Sequence, residues 1–233
     1  MARTPQTNEA FLREVDEELR RDQLTNFWQR WGRILLAAVA VGLLAFGGWL
    51  WWRDYQAKQA GAEGEKLSAA VEQLSANRID AAEPTLKELA GSDRAGYRAA
   101  AKLAQGAVVA QKGDLQAAKT MFAEVATDPK VAQPIRDLAL IRQVTAEFDT
   151  LPPDQVIARM RPLAQKGNPF FGSAGELVAI AHLKAGRASD AGAIYAALAA
   201  DPNVPPTIRS RAAQMASVTG IDINPAALPS LTR

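Results

Sequence analysis

The sequence predicts an all-α chain in which a single N-terminal transmembrane helix precedes a solenoid of helical hairpins. An uncharged apolar run fills residues 34–52. Ala, Leu, Glu, Lys and Gln dominate the rest of the chain, where runs of β-branched residues are scarce. The later sequence also repeats itself at a fixed offset of 73 residues. These observations predict a short head (1–33), the span (34–52), a helical domain (53–218) and a tail (219–233).

The head is short and charged, and its residues Thr7–Arg21 predict an amphipathic helix. Cations near the two ends of the span indicate its direction, because positive charge is enriched on the cytoplasmic side. The bias is small, and it favours a cytoplasmic head and a helical domain on the other side. The cations are Arg20, Arg21, Arg30 and Arg33 before the span, and Arg53, Lys58 and Lys66 after it.

The span reads ILLAAVAVGLLAFGGWLWW, and as a helix it is roughly 28 Å long, close to the thickness of a bilayer core. Its nine Leu, Ile, Val and Phe residues contribute on the order of −3 to −5 kcal/mol to insertion. All five tryptophans lie at its two edges, where amphipathic rings favour the headgroup zone. Ala38 and Gly42 form a small-x-x-x-small pair, which lets helices pack closely in lipid.

Two other readings of the apolar run are possible. A buried core helix can be this apolar, but it does not need two aromatic belts. A cleaved signal peptide is the second alternative, since Ala60-Gly61-Ala62 resembles a cleavage tripeptide. The head exceeds thirty residues, however, and Arg53 and Asp54 separate the run from that tripeptide, so a retained span is favoured.

Composition argues against most catalytic and nucleic-acid-binding classes. The chain has no cysteine and one histidine, His182, so thiolate chemistry and multi-histidine metal sites are excluded. No phosphate-binding glycine motif or nucleophile elbow is present. Acidic and basic residues are interspersed with a net charge of +2, which gives no basic stripe for nucleic acid. The sequence predicts a non-enzyme with no cofactor, no nucleic acid and no small-molecule substrate.

The repeat is clearest in two stretches, GDLQAAKTMFAEVATDPKV from Gly113 and GRASDAGAIYAALAADPNV from Gly186. Half of the offset is about 36 residues, the length of a two-helix repeat. An earlier copy follows the same spacing: Asn77, Ala82, Leu86 and Leu89 precede Gly113, Ala118, Phe122 and Val125 by 36 residues. The unit between Pro134 and Gly167 is the most divergent, and its second helix is predicted from Pro153 to near Lys166.

These units resemble the tetratricopeptide repeat. In the first good unit a small residue lies in the first helix, a glycine in the turn, and a small residue and an aromatic in the second helix. The resemblance implies close helix crossing at the small residues, a left-handed turn at the glycine, and an aromatic that fills the gap between hairpins. The residues that carry it are Gly106, Gly113, Ala118 and Phe122, then Gly186, Ala191 and Tyr195.

Helical solenoids bind partners on a face built from the first helix of each pair. The predicted groove is apolar, with one acidic and one basic residue at its margin, and it suits an amphipathic or extended peptide. It could equally be covered by the chain's own C-terminal helix. The residues are Leu103, Ala107, Ala110, Glu176, Ile180, Leu183 and Lys184.

The whole chain is similar to the ancillary subunit family of the bacterial SecYEG protein translocon. A charged head (Asp16–Arg33) leads into one span and then into alanine-rich, degenerate repeat helices. The resemblance implies an inner-membrane protein with a cytoplasmic N-terminus and a periplasmic helical domain. It also implies association with translocon subunits, a periplasmic chaperone or exported chains.

Three functional hypotheses follow. The first is an interaction protein that assists the trafficking of secreted chains at the translocon. The second is a scaffold for envelope or division-complex assembly, which has the same sequence features. The third is an enzyme that uses His182 with Glu176 or Asp190, which the lack of any supporting motif disfavours.

Overall fold

The structure is a computed structural model that describes the backbone of residues 6–221 and the side chains of residues 28–221. In that part of the chain every regular element is an α-helix, so the predicted fold class is confirmed. The predicted tail falls largely on residues 222–233, which lie outside the described residues. The helices are α1 Gln6–Ser75, α2 Ile79–Leu89, α3 Ala95–Gln111, α4 Leu115–Thr127, α5 Gln133–Ala146, α6 Pro153–Met160, α7 Phe171–Lys184, α8 Ala188–Ala200 and α9 Pro206–Val218.

Helix α1 is one continuous element of 70 residues. The predicted head helix and the span therefore belong to the same helix, which ends at Ser75. Its most apolar 18-residue window has a mean hydropathy of 2.2 and none of that window is buried. Leu44, for example, is 76% exposed. Within the described residues this is the one helix long and apolar enough to cross a membrane.

The chain divides into two compact units, residues 1–62 and 63–233. In the second unit, α3 pairs with α4 and α7 with α8, as antiparallel hairpins of a helical solenoid do. We call α3, α5, α7 and α9 the first helices, because each lies at the same place in the repeat. Each first helix packs on the next one along the chain: α3 on α5, α5 on α7, and α7 on α9.

The turns after α1, α3, α7 and α9 share one backbone conformation, which the turn after α5 lacks. Gly113, Gly186 and Gly220 have φ of 91°, 74° and 86°, and Asn77 takes the same role with φ of 57°. Only glycine adopts this region without strain, and asparagine is the side chain that tolerates it best. The positive φ of Gly220 shows that α9 ends in the same way as α3 and α7.

The second helix of the divergent unit is shorter than its sequence predicts. Helix α6 ends at Met160 rather than near Lys166. Pro162 explains the difference, since it has no N–H to continue the helical hydrogen bonds and restricts the residue before it. The chain turns instead, and the N–H groups of Leu163 and Ala164 both donate to the Met160 carbonyl. Leu163 still packs in the core beside Met160.

Small residues let the paired helices approach. Gly106 of α3 lies under the Phe122 ring of α4, and a Cβ at Gly106 would stand 2.6 Å from that ring. Tyr195 of α8 is 1% exposed and belongs to a cluster that joins α7, α8 and α9. Phe122 thus packs against α3 of its own hairpin, and Tyr195 packs among residues of α7, α8 and α9. Ala118 and Ala191 are fully buried at the matching positions.

Candidate functional site

The predicted groove residues of α3 form one stripe along that helix, because positions 103, 107 and 110 are separated by about one turn each. All three side chains are half-buried. Leu103 packs against a core cluster that includes Val125 of α4 and Ala139 of α5. The structure therefore gives Leu103 a packing role at one end of the stripe and leaves Ala107 and Ala110 partly open.

The predicted residues of α7 also form a stripe, with Glu176, Ile180 and Lys184 four residues apart. Ile180 is 37% exposed and lies between the two charged residues. Leu183 packs against the cluster around Tyr195. Ile180 is consequently the apolar side chain of α7 that is most available to a partner, and it matches Ala107 at the 73-residue offset.

Both charged residues of the α7 stripe have partners in neighbouring units: Glu176 binds a residue of α9, and Lys184 contacts the segment just after α5. The Arg211 guanidinium of α9 donates to both carboxylate oxygens of Glu176, at 2.5 and 2.7 Å. The Lys184 ammonium lies 5.4 Å from the centre of the Phe148 ring and donates to the Asp149 carbonyl at 3.2 Å. Glu176 therefore links α7 to α9, and Lys184 links α7 to the segment after α5. Sequence reasoning missed Arg211 and Phe148 as partners, because they lie about 35 residues away from Glu176 and Lys184.

The structure does not bring the α3 and α7 stripes into direct contact. Helix α5 lies between them and packs on both. Any extended ligand that meets Ala107 and Ile180 together must therefore also cross α5. Thr145 is an exposed residue of α5, and its hydroxyl donates to the Ile141 carbonyl.

Glu176 influences the pKa values of two neighbouring groups, Arg211 and Tyr195. Hydrogen bonding to Glu176 raises the pKa of Arg211 above its ordinary value. Burial raises the pKa of Tyr195, and the nearby Glu176 carboxylate raises it further. Both shifts keep these groups in their usual states at neutral pH, so this end of the stripe carries a fixed cation and a neutral phenol.

A buried carboxylate links three helices behind the stripe. Glu147, just after α5, has a side chain only 4% exposed. Its carboxylate accepts from Lys119 of α4 at 3.0 Å and from Arg159 of α6 at 2.5 Å. The two ion pairs connect α4 and α6 to the end of α5, so they fix how the divergent unit packs on its neighbour. Glu147 is not among the residues that the sequence singled out.

A small apolar cleft lies between α2, α3 and α4. Its volume is about 90 Å³. Glu83 and Lys112 approach to 3.7 Å beside it. The space suits one aliphatic side chain rather than a small-molecule substrate. Its walls are formed by Ile79, Glu83, Leu86, Gln105, Val108, Val109, Lys112 and Met121.

The residues of the enzyme hypothesis are not assembled as a catalytic set. His182 Nδ1 lies 3.5 Å from Asp190 Oδ2 and has no hydrogen-bond partner. Glu176 is bound to Arg211 instead. Across the described residues, no group of three His, Asp or Glu side chains is arranged to hold a metal ion.

The predicted packing pair of the span lies on one side of α1, four residues apart. Ala38 and Gly42 are exposed, and a Cβ at Gly42 would meet no atom within 4 Å. The seven repeat-defining residues lie where the helices of the two good hairpins cross or turn. The groove residues lie on the first-helix faces, in two stripes separated by α5.

Residues 25–216 match the tetratricopeptide repeat-like domain family. The match covers most of the chain, and the chain belongs to this family. The fold agrees, since paired helices and stacked first helices define the tetratricopeptide class of protein-interaction folds. No curated protein and no solved structure matches this chain.

Proposed function

We propose that this protein is a membrane-anchored interaction module of the bacterial cell envelope, which assists secreted chains at the protein translocon. The family and the exposed apolar part of α1 support the proposal: the fold is built for protein contacts, and α1 suits a bilayer. The head faces the cytoplasm, and the helical domain lies in the periplasm. Its partners are translocon subunits, a periplasmic chaperone or the exported chains themselves.

The observation that carries the proposal is that the stripes on α3 and α7 each keep a partly open apolar position. Ile180 is exposed although it lies between two fixed contacts, and Ala107 is small at the matching position of α3. A stripe of this kind accepts an extended or amphipathic segment without requiring any catalytic group.

The test is photocrosslinking in intact cells with a photoreactive residue at Ala107 or Ile180. Translocon subunits, periplasmic chaperones or exported chains should be recovered from both positions. The control is the same residue at Ala197, which is exposed on α8, away from the first helices. Recovery of division or outer-membrane assembly proteins alone would favour the scaffold hypothesis instead. Equal recovery from Ala197 would refute the claim that partners bind at the stripes.

Orientation is tested separately by protease treatment of intact spheroplasts. The proposal expects digestion of the helical domain and protection of an epitope in the head. Protection of the helical domain until the membrane is opened would place it in the cytoplasm and contradict the proposal.

A further inference from the structure

The two good repeats contain the same tight turn, but only one of them supplies a cation to it. Asp128 and Asp201 follow α4 and α8 and are 73 residues apart. In both turns Oδ1 of the aspartate accepts from the backbone N–H two residues later, at 2.9 Å. In both, the N–H three residues later donates to the aspartate carbonyl at 3.1 Å. The two turns are therefore structural equivalents.

The surroundings of the second carboxylate oxygen differ between the repeats. Arg98 of α3 donates to Asp128 Oδ2 at 2.9 Å. The residue equivalent to Arg98 is Phe171 of α7, which has no charge and is buried among apolar side chains. Within residues 28–221, no Lys, Arg or His lies within ion-pair distance of Asp201.

Asp201 is nevertheless the more deeply buried of the two residues. It is 3% exposed, and among residues 28–221 its one side-chain partner is Asn203. A buried carboxylate without a cation is costly, because it loses water and gains no opposite charge. The hydrogen bonds of the turn use only Oδ1, which leaves Oδ2 for another donor.

A recess lies beside Asp201, between the start of α7 and the turn after α8. It has a volume of about 290 Å³, and we call it the Asp201 slot. Phe171 and Val204 provide apolar walls, and Asn168, Ser173 and Asn203 add polar groups beside the carboxylate. Asn203 Nδ2 donates to Asp201, which leaves the amide oxygen of Asn203 as an acceptor.

We infer that the Asp201 slot binds an arginine side chain from an extended segment of a partner polypeptide. The inference rests on the proposed function and names a chemical feature of the partner. A guanidinium has five donors in a planar fork, which suits the Asp201 carboxylate with the Asn203 amide oxygen. The apolar walls accommodate the methylene stem. The Arg98–Asp128 pair is the precedent within the same chain.

The test measures peptide retention by the full-length protein in lipid nanodiscs. Two pools of nine-residue peptides are degenerate except at the centre, which is arginine in one and its neutral isostere citrulline in the other. Wild-type protein should retain the arginine pool about tenfold more strongly, as expected for a charge-assisted hydrogen bond to a buried group. Asp201→Asn should abolish the difference, because its amide oxygen still caps the turn while the charge is gone.

Three further variants separate binding from folding. Asp128→Asn removes the same charge from the turn that Arg98 already fills, so the preference for arginine should remain. Ser173→Arg should fill the slot from within and abolish the preference, whereas Ser173→Gln should keep it. A circular dichroism melt of each variant checks that the helices remain folded.

The outcomes distinguish the inference from the proposed function. Equal retention of both pools by the wild type would overturn the arginine slot and leave peptide binding intact. Retention of neither pool would overturn the slot and count against peptide binding altogether. A preference that survives Asp201→Asn would also overturn it. A preference that appears only after removal of residues 222–233 would assign the slot to the chain's own tail and overturn the partner assignment.

Discussion

Single residues define the repeat through the backbone conformations that they can adopt. The turn after each of three first helices needs a positive φ, and glycine supplies it at 113, 186 and 220. Asn77 does so in the earliest unit, where its side chain tolerates the left-handed region. The spacing of these residues was visible in the sequence, and the conformation follows from their chemistry. The middle unit lacks such a turn residue, which agrees with its divergence.

At Gly113 we expect Gly113→Ala to destabilise the helical domain by about 1–2 kcal/mol, because an L-residue at this φ is strained. Chemical denaturation of the detergent-solubilised protein, followed at 222 nm, measures the change. The matched control is Gly96→Ala, in the first turn of α3, where a Cβ meets no atom and the φ is helical. That variant should be unchanged or up to about 1 kcal/mol more stable. Equal destabilisation of both variants would contradict the account.

Whole elements are joined by charges that lie far apart in sequence. Arg98 ties α3 to the turn after α4, and Glu176 ties α7 to α9. Glu147 ties α4 and α6 to the end of α5. The apolar pattern of each helix was readable from the sequence, whereas the choice of charged partner was not. The domain contains many Lys, Arg, Asp and Glu residues, and only the packing of the helices decides which two of them meet.

The Arg98–Asp128 link should be visible in the acid dependence of stability. The Arg98 guanidinium holds the pKa of the Asp128 carboxyl below its ordinary value. A depressed folded pKa gives stability that is present above the unfolded pKa of about 4 and is lost as pH falls through the folded pKa. Asp128→Asn should therefore be less stable than the wild type at pH 7, and the difference should shrink as the pH is lowered below about 4.

Thermal melts between pH 7 and pH 2.5 measure this difference. Asp149→Asn is the control, since the Asp149 side chain is exposed. It should follow the wild-type profile throughout. A constant gap between Asp128→Asn and the wild type down to the lowest pH would show that the link to Arg98 is not electrostatic.

At the scale of the whole molecule, one helix joins an apolar segment to a repeat domain. The apolar residues of α1 are exposed along the whole candidate span, with Leu43 and Leu44 at 66% and 76%. Exposure of this extent is unstable in water and favourable in lipid. This exposure is why the proposed function treats α1 as a membrane anchor.

The double substitution Leu43→Lys/Leu44→Lys should release the protein from membranes. Each lysine near the centre of a span costs about 2.5–3.5 kcal/mol of insertion free energy, and two exceed the roughly 3–5 kcal/mol that the apolar residues contribute. Alkaline extraction of cell membranes separates integral from released protein. Val71→Lys/Glu72→Lys, in the same helix but outside the predicted span, should leave the protein in the membrane fraction. A double Leu variant that stays there would contradict the span.

The sequence by itself determined the fold class, the apolar span, the offset between the repeats and the left-handed turns. These features depend on local pattern, composition and the conformational range of single residues. Only the tertiary structure decided that α5 separates the two groove stripes. It also decided that Asp201 is buried beside an open slot while Asp128 has Arg98. Those outcomes depend on residues about 30 or more positions apart, whose meeting is fixed by the packing of helices rather than by any neighbouring sequence.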